Sequence, residues 1–562
     1  MRRLFLLPLL ASLALAWPAA RAQSASVELV SPAAAVRALL APWDRPGMPG
    51  VAVSVTLDGA IAQHAEAGAA DLEQGTPVTP DSVFHVASVS KQFTAFAILL
   101  LEQDGKLSID DPLPRHLPET AGWAPMTLRQ LLNHTAGLRD FGTLMPAAGW
   151  RDEDLLTDEQ VLRMVLRQRG GNFAPGRRYQ YNNTGYALLG EVVRRVSGKS
   201  LRAFCDERIF QPLGMRDTRF GDDIDDRVPH RVPSWQSSKG GYVRDVLSTT
   251  TTGSTGLLTT AADLSRWALN FETHAVGDAA LFARMQEQGV LTDGTVNFYA
   301  LGQERHAWNG LDTWSHGGRD AGYRAFLLRV PGERFSVAVV ANANDIDTSI
   351  LAYGIAERYL SHRPAWRAPA PETGRPSRRQ LAAYAGDYEL FPGYIFSLRS
   401  DGRHLLLSTP DGGEPAELPA LSARRFLLSE KFHQSLEFPE DARGPSDRLD
   451  YVIGLYGRIP APRMTLAGFD PAGVRAQEFA GRYRSDELDT EYELVARDGK
   501  LWVRHPRWPD AMLQPYQRDQ FRSSAWFLQK MAFQRDGDGR VTGFLLSGPV
   551  AENIVFERVA AR

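Results

Sequence analysis

Ser88-Val89-Ser90-Lys91 opens the most strongly apolar helical segment of the chain, which continues to Leu101. Beyond its polar first turn the segment is apolar nearly all round, and a helix of that kind is buried in a large core. Residues three apart share a helix face, so the Lys91 amine can reach the Ser88 hydroxyl. A serine becomes a nucleophile when a nearby base takes its proton. The segment therefore predicts a nucleophile and its base at the start of a buried helix, unless Lys91 simply snorkels to the surface.

Composition and charge narrow the class of protein. The chain has 562 residues, of which 43% are hydrophobic and 23% charged, as in an ordinary globular protein of several domains. The formal net charge is -3, so the chain lacks the excess of positive charge that nucleic-acid-binding proteins have, and we expect no nucleic-acid partner. The histidines show no ligand spacing such as H-E-x-x-H, and we expect no metal and no cofactor. Cys205, the only cysteine, lies in an amphipathic helical pattern and is expected in the core rather than as a nucleophile.

The N-terminus has the pattern of a secretory signal peptide. Arg2-Arg3 form a charged start, Leu4 to Trp17 an apolar region, and Ala20-Arg21-Ala22 a cleavage site. We therefore expect residues 1–22 to be removed and the protein to be periplasmic or secreted. The apolar region is too short to span a bilayer, and no other apolar run reaches about 18 residues, so no integral membrane span is expected.

Residues 23–362 are expected to form one α+β domain. Val51–Leu57 followed by Asp58-Gly59 predicts a strand and a turn, and Arg324–Val330 and Phe335–Ala341 predict a late strand pair. Helices are expected between and beside these strands, over residues 33–43, 127–132, 158–168, 186–196 and 349–360. Strands at both ends of the unit predict an antiparallel sheet built from distant segments, flanked by helices.

The C-terminal part is an internal repeat. Residues 363–379 are rich in proline and arginine and are expected to be a linker. Tyr384-Ala-Gly-Asp-Tyr388 resembles Phe479-Ala-Gly-Arg-Tyr483, about 95 residues later. Both copies contain short alternating segments with Asp-Gly turns. They predict two small antiparallel β-barrels of lipocalin-like form, over residues 380–470 and 471–562. Deleting the second copy is expected to change the substrate range more than the folding of the preceding domain.

Two downstream segments carry side chains suited to acyl transfer. Tyr181-x-Asn183 stands just before a helix, where the phenol could act as a base near Lys91. The alternative is an aromatic turn with Asn183 as a helix cap. His316-Gly317-Gly318-Arg319 precedes a strong strand; paired glycines let a backbone approach a ligand, and an edge strand can complete an oxyanion hole. His316 could donate to a developing charge or to the tyrosine, unless the segment is a glycine turn with a surface histidine.

The order S-x-x-K, Y-x-N, H-x-G resembles the serine β-lactamase and penicillin-binding-protein superfamily. It is most similar to the class C-related branch, which includes class C β-lactamases, D-aminopeptidases, D,D-carboxypeptidases and β-lactamase-like esterases. Further similar stretches are Gly105–Pro112, Leu131–Leu138, Pro175-Gly176 and Gly256–Leu264. The resemblance covers roughly residues 35–360 and implies a β-lactamase/transpeptidase-like catalytic domain with a helical subdomain.

The resemblance also implies roles for individual residues. Ser88 is the expected nucleophile, and Lys91 and Tyr181 the base pair that activates it and relays the proton. Which of the two holds the proton stays open, since coupled groups titrate together. Asn183 is expected to orient Lys91 and bind the substrate amide. His316, in place of the lysine of K-T-G, is the fourth expected catalytic residue. Gly317, Gly318 and Arg319 are expected to bind substrate, with the N–H groups of Ser88 and Arg319 as oxyanion donors. His134 is expected to be structural.

The expected function is an exported serine hydrolase that works through an acyl-enzyme, most similar to a D-aminopeptidase or D-peptidase. His316 stands where β-lactamases carry a lysine, and a largely neutral imidazole is a poor partner for a substrate carboxylate. D-aminopeptidase in this superfamily also carries two C-terminal eight-stranded barrels, one of which reaches its active site. The alternatives are a carboxylesterase, a D,D-carboxypeptidase or weak β-lactamase, and a penicillin-recognising sensor without turnover. The expected partner is a small peptide, amide or ester; the oligomeric state is left open.

Overall fold

The computed structural model describes residues 31–368, 374–410, 412–430, 434–439, 444–453, 457–466 and 468–560. The expected signal peptide, residues 1–22, lies outside these residues, as do residues 369–373 of the expected linker. Within the described ranges, every helix is too short or too polar to cross a bilayer.

The α+β domain is built on one antiparallel sheet of six strands. In sheet order these are β10 (Glu304–Trp308), β11 (Leu311–Asp320), β12 (Tyr323–Val330), β13 (Phe335–Ala341), β1 (Val51–Leu57) and β2 (Ala60–Ala67). β1 pairs with β13, so the start of the domain lies beside its end, with Val53 opposite Val339. The expected antiparallel sheet built from distant segments is confirmed.

Helices cover both faces of the sheet, so that β1 is buried on both sides. Val51, Val53 and Val55 face one apolar cluster, which also contains the buried sides of α1 (Pro32–Leu40) and α10 (Thr348–Leu360). The opposite face packs against α8 (Ala261–Thr273), where Ser265 donates a hydrogen bond to Ser54 over 2.7 Å. α2 (Ser90–Gln103) is buried behind α8, with the Phe93 ring 4.6 Å from Trp267. Full burial of such a side chain contributes about 1.5–3 kcal/mol, which explains the apolar character of α2.

The remaining helices of this domain and its short strands surround the sheet. The helices are α3 (Leu128–Leu132), α4 (Phe141–Ala147), α5 (Asp158–Leu166), α6 (Asn183–Ser197), α7 (Leu201–Cys205) and α9 (Ala279–Met285). The short strands are β3 (Ala69–Asp71), β4 (Thr76–Pro77), β5 (Phe84–His85), β6 (Arg219–Phe220), β7 (Ser234–Ser238), β8 (Gly241–Asp245) and β9 (Leu257–Thr259). α3 and α5 begin with capping boxes on Thr127 and Thr157. Cys205 is fully buried at the end of α7, as expected.

The first repeat forms an eight-stranded antiparallel sheet that curls into a nearly closed barrel. After α11 (Arg378–Tyr384), its strands are β14 (Gly386–Phe391), β15 (Tyr394–Ser400), β16 (Leu405–Ser408), β17 (Ala416–Leu418), β18 (Arg425–Ser429), β19 (Gln434–Glu437), β20 (Arg448–Ile453) and β21 (Gly457–Met464). α11 begins inside the segment expected to be a linker, because Ser377 and Gln380 form a capping box there.

The second repeat is a closed eight-stranded barrel. Its strands are β22 (Gly481–Ser485), β23 (Thr490–Arg497), β24 (Lys500–His505), β25 (Trp508–Gln517), β26 (Gln520–Arg522), β27 (Lys530–Arg535), β28 (Val541–Gly548) and β29 (Ala551–Arg558). The repeated sequence motif has the same structural role in both barrels. The Tyr388 hydroxyl donates to the Tyr384 carbonyl over 2.9 Å, and the Tyr483 hydroxyl donates to the Phe479 carbonyl over 2.7 Å. The expected α+β domain followed by two antiparallel barrels is thus confirmed.

The second barrel packs directly onto the helical part of the α+β domain. Its core residues and those of α4, α5 and α6 belong to one continuous apolar cluster. Arg139 and Glu487 form an ion pair of 2.6 Å in which both side chains are only 4% exposed. The backbone N–H of Asp140 donates to the Val550 carbonyl over 2.9 Å. The second barrel and the α+β domain therefore share one apolar core.

Candidate active site

Ser88 lies in a tight 3-10 turn, Ala87–Val89, immediately before α2. The helix thus begins later than the sequence indicated, and the serine precedes its first turn. Ala87 takes a left-handed conformation with φ of 47°, which costs about 1–2 kcal/mol for a residue with a side chain. This uncommon conformation fixes the direction of the turn that carries Ser88.

Lys91 is completely buried and points back at Ser88. Its amine donates hydrogen bonds to the Ser88 hydroxyl over 3.0 Å, to Asn183 Oδ1 over 2.9 Å and to the Ser254 carbonyl over 2.7 Å. Burial lowers the pKa of Lys91 to about 7, although the negative charges of Asp140 and Asp320 oppose the shift. Lys91 is therefore not a snorkelling surface lysine, and near neutral pH a large fraction of it is a free base.

Tyr181 lies beside this pair. The Lys91 amine is 4.8 Å from the centre of the Tyr181 ring. The Tyr181 hydroxyl is inaccessible to solvent and has no hydrogen-bond partner in the described part of the chain. Burial raises the pKa of Tyr181 well above its usual range, and the neighbouring Ser88 hydroxyl only partly opposes this. The opposite shifts favour neutral Lys91 as the proton acceptor and Tyr181 as a protonated relay.

Asn183 and its neighbour Asn182 divide two tasks. The N-cap of α6 is Asn182, whose side chain accepts from the Gly185 N–H over 2.8 Å. Asn183, weighed in the sequence as the cap, is instead the first residue of the helix, and its Oδ1 accepts from Lys91. The Asn183 N–H donates to the Asp140 carboxylate, which also caps α4. Asp140 therefore holds Asn183, and through it Lys91, in place.

His316 is buried and neutral. Its Nδ1 lies 2.6 Å from the Gly317 carbonyl, so Nδ1 carries the proton and Nε2 accepts from the Tyr299 hydroxyl over 2.9 Å. Burial lowers the pKa of His316 to about 4. The sequence suggested a surface histidine or a partner in Tyr181; the structure instead places Tyr299 on Nε2. Tyr299 lies in no motif that could have identified it.

The glycine pair lies on a strand rather than in a turn. β10 pairs with β11 only from Leu311 to Ser315, so from His316 onward one edge of β11 is free of β10. At Gly318 an added Cβ would lie 2.1 Å from the Val86 carbonyl oxygen. Only glycine lets the strand approach the Ser88 turn this closely. This places Arg319 beside Ser88 in the cleft, where an oxyanion donor is expected.

His134 lies behind Tyr181 and not against Ser88. Its ring centre is 4.3 Å from that of Tyr181, and its Nδ1 accepts from the Asn182 backbone N–H over 3.2 Å. Burial lowers the pKa of His134 well below its usual range. Its position agrees with a structural role.

The sequence did not single out a second polar cluster beside Lys91. Asp320 Oδ2 accepts from the Thr255 hydroxyl over 2.9 Å and lies 3.1 Å from His85 Nε2. Asp320 stands in the segment that carries His316, but Thr255 and His85 belong to distant segments. No spacing in the sequence indicates that the three meet.

Ser88 lies at the junction of two cavities that form one cleft. One, of about 400 Å³, is lined by His316 and β11 and by residues of the first barrel: Gln434, Ile453 and Gly457. The other, of about 710 Å³, is lined by Asn183, Asp320 and the second-barrel residue Trp526. Both barrels therefore form walls of the cleft. In the described ranges, we find no group of three or more histidine, cysteine or acidic side chains placed to hold a metal.

Comparison with known proteins agrees with this geometry. The family model named Beta-lactamase matches residues 33–359. D-aminopeptidases from Brucella melitensis biotype 2 and Brucella anthropi are 26% and 25% identical to this chain over 529 and 545 residues. Both alignments cover 91% of this chain, with 96% and 95% of the relatives.

Solved structures share the fold. The octameric penicillin-binding protein homologue from Pyrococcus abyssi has a TM-score of 0.55 at 22% identity, covering 76% of this chain and 99% of its own. SurE has a TM-score of 0.53 at 24% identity, covering 77% and 98%. The family match extends over more than half of the chain and contains Ser88, Lys91, Tyr181, Asn183 and His316. The protein is therefore a serine hydrolase that belongs to the Beta-lactamase family.

Proposed function

We propose that this protein is a D-stereospecific amidohydrolase of the aminopeptidase type, which acts through an acyl-enzyme on Ser88. The observation that carries the proposal is the fully buried Lys91 amine, 3.0 Å from the Ser88 hydroxyl and with a pKa lowered to about 7. The amide preference is supported by the D-aminopeptidase relatives, whose similarity extends through both barrels.

Acylation starts with transfer of the Ser88 proton to neutral Lys91 as Ser88 Oγ attacks the substrate carbonyl carbon. A carbon–oxygen bond forms, and the negative charge on the carbonyl oxygen is stabilised by the N–H groups of Ser88 and Arg319. Collapse of this intermediate breaks the carbon–nitrogen bond. The leaving amine takes the proton from Lys91, relayed by the Tyr181 hydroxyl, and the acyl group remains on Ser88 as an ester.

Deacylation repeats these steps with water. A water molecule gives one proton to Lys91 and attacks the ester carbonyl. The bond to Ser88 Oγ then breaks, and Ser88 recovers its proton from Lys91. The products are a free carboxylic acid and the resting enzyme, so that one water is consumed per amide bond cleaved.

The neutral state of His316 argues against a carboxylate-bearing leaving group. β-Lactams and D,D-peptides present a carboxylate that a fixed positive charge would favour. His316 supplies none near pH 7, because burial lowers its pKa to about 4. The proposed substrates are therefore amides, or peptides whose carboxylate lies away from the cleaved bond, rather than penicillins.

We also propose that the protein is exported to the periplasm or secreted. The support is the charged, apolar and small-residue pattern of residues 1–22. An N-terminal sequence of the mature protein beginning at Gln23 would agree with cleavage after Ala22. Retention of the whole N-terminus in the cytoplasm would contradict the proposal.

Intact-protein mass spectrometry with parallel turnover assays tests the proposed reaction. D- and L-alanyl p-nitroanilide, p-nitrophenyl acetate and a penicillin are offered to the wild type, Ser88→Ala and the surface variant Ser238→Ala. We expect the D-anilide to be cleaved at least tenfold faster than the L-form. We expect no turnover and no covalent adduct with Ser88→Ala, and wild-type behaviour from Ser238→Ala.

Three outcomes contradict the proposal. Labelling of folded Ser88→Ala would remove the nucleophile assignment. Turnover of the ester without either anilide would indicate a carboxylesterase. A stable penicillin adduct without turnover of any substrate would indicate a sensor.

A further inference from the structure

Asp320 is an acidic side chain in the cleft that the proposed reaction does not use. It stands at the end of β11, one residue beyond Arg319. Its Oδ2 atom is held by the Thr255 hydroxyl at 2.9 Å and by His85 Nε2 at 3.1 Å. His85 is 2% exposed. The carboxylate is thus held by side chains of two other segments, the buried His85 of β5 and the half-buried Thr255 of the loop before β9.

The remaining part of this carboxylate is free for a ligand. The Asp320 side chain is 30% exposed. Across the described ranges, His85 is the sole basic side chain within ion-pair distance of it, and Oδ1 has no hydrogen-bond partner. Burial alone would raise the pKa of Asp320, but the hydrogen bonds from His85 and Thr255 and the charge of Lys91 lower it. Asp320 is therefore ionised at neutral pH.

Asp320 lies close to the reacting atoms. It lines the larger cavity together with Ser88 and Asn183. Thr255, which binds Asp320, directly follows Ser254, whose carbonyl accepts from Lys91. The Ser254 residue also lines this cavity, and its buried hydroxyl has no partner in the described part of the chain. The cavity wall beside Ser88 thus presents the fixed negative charge of Asp320.

Other carboxylates of the same cavity are less suited to bind a cation. Asp154 is already paired with Arg507, over 2.7 and 2.8 Å. Burial raises the pKa of Asp245, and the positive charge of Arg324 only partly opposes this shift. Asp152 lies exposed at the rim. Asp320, by contrast, accepts hydrogen bonds from Thr255 and from the buried His85, and its side chain is 30% exposed in the cavity.

We propose that Asp320 binds the protonated α-amino group of the substrate and selects for acyl groups that carry it. The inference rests on the proposed amidohydrolase function. In an α-amino acyl group the nitrogen is two bonds from the attacked carbonyl carbon, a distance of about 2.5 Å. An ammonium bound by Asp320 therefore lies in the larger cavity when the carbonyl lies over Ser88. The leaving group then extends into the smaller cavity, along β11.

A pair of substrates that differ only in the amino group tests this assignment. D-Alanyl p-nitroanilide and propionyl p-nitroanilide have the same leaving group, so their ratio cancels any change in Ser88 or Lys91. At pH 7 the wild type should prefer the amino substrate by at least about 100-fold in kcat/KM, a typical effect of a charge pair in a partly desolvated site. In Asp320→Asn the ratio should fall below about 3-fold, chiefly through KM of the amino substrate.

Two further variants complete the design. Asp320→Glu keeps the charge and should retain a preference of at least 10-fold. Asp152→Asn removes a neighbouring charge at the rim and should leave the ratio near that of the wild type. If Asp320→Asn does not fold, the substitute experiment compares inhibition of the wild type by D-2-aminopropanol and by 1-propanol. Inhibition at least tenfold stronger by the amine supports the assignment.

The contrary results are separable. Three results would overturn the role of Asp320 but leave the proposed hydrolase function standing. The first is that Asp320→Asn lowers kcat/KM equally for both anilides, and the second is that Asp152→Asn lowers the ratio of the two as much as Asp320→Asn does. The third is that the amine and the alcohol inhibit the wild type equally. A wild type that cleaves the two anilides equally well would do the same. A wild type that cleaves neither anilide would overturn the proposed function and this inference with it.

Discussion

Burial of Lys91 sets the protonation state of its amine, and that state is expected to control the rate of the reaction. Asn183, the Ser254 carbonyl and Ser88 surround its amine, and no described water-exposed surface reaches it. Such burial disfavours the ammonium form. Burial thus favours the free amine of Lys91, the form that the proposed mechanism requires near neutral pH.

This environment predicts a pH dependence. In the proposed mechanism the reactive form has Lys91 unprotonated, and burial lowers the pKa of Lys91 to about 7. We therefore expect kcat/KM to rise with pH through a single limb near 7 and to fall about tenfold per unit below it, since each unit of acidification removes nine-tenths of the free base. A profile on propionyl p-nitroanilide, which does not titrate, measures the limb. A limb near pH 10 would show that Lys91 is not the base or is not desolvated.

Strand β11 and the Ser88 turn act together as one structural element. Close contact between them depends on Gly318, which faces the Val86 carbonyl. The turn carries Ser88, the proposed nucleophile, and the strand is expected to carry the second oxyanion donor. Their separation therefore sets the geometry in which the oxyanion is stabilised, and a shift of about 1 Å can cost 100-fold in rate.

Gly318→Ala tests this contact. An added Cβ would lie 2.1 Å from the Val86 carbonyl oxygen, so the strand and the turn must move apart. We expect kcat to fall at least 100-fold while circular dichroism still reports a folded protein. Gly354→Ala is the matched control, because its Cβ would meet only the Leu39 side chain at 3.7 Å, in a helix on the opposite face of the sheet. Similar activity in the two variants would show that the contact does not set the site.

On the scale of the whole molecule, the second barrel and the catalytic domain share a core. From the sequence we expected its deletion to affect substrate range more than folding. The shared apolar cluster and the buried Arg139–Glu487 pair argue otherwise. Removing residues 471–562 would leave Arg139 without its partner and expose the apolar faces of the helices it covers. We now expect the truncated protein to be insoluble or unfolded.

A single substitution tests the same coupling. Glu487→Gln keeps the shape of the side chain but leaves the Arg139 charge unpaired, which costs about 3–5 kcal/mol for a buried pair. We expect a lower Tm and one cooperative transition that includes the catalytic domain. Asp486→Asn, on an exposed neighbour, should change the Tm little. If Glu487→Gln lowers only a separate barrel transition, with activity surviving it, the two units are independent.

Much of the site could be predicted because its partners are near in sequence or carry a motif. Ser88 and Lys91 are three residues apart, and a turn of helix brings them together. Asn183 lies two residues from Tyr181 at the start of a helix. Whether Asn182 or Asn183 is the cap depends on the exact residue at which the helix begins, and a sequence pattern does not fix that residue.

By itself, the sequence determined the order of the motifs, the buried helix after Ser88, the antiparallel sheet and the repeated barrel motif. These follow from spacing within a turn or a strand, where the backbone dictates which side chains meet. Only the tertiary structure decided that Tyr299 pairs with His316, that His85 meets Asp320 across 235 positions, and that Glu487 pairs with Arg139 across 348. Those contacts arise from the packing of whole segments against a common core, and such packing leaves no periodic signal along the chain.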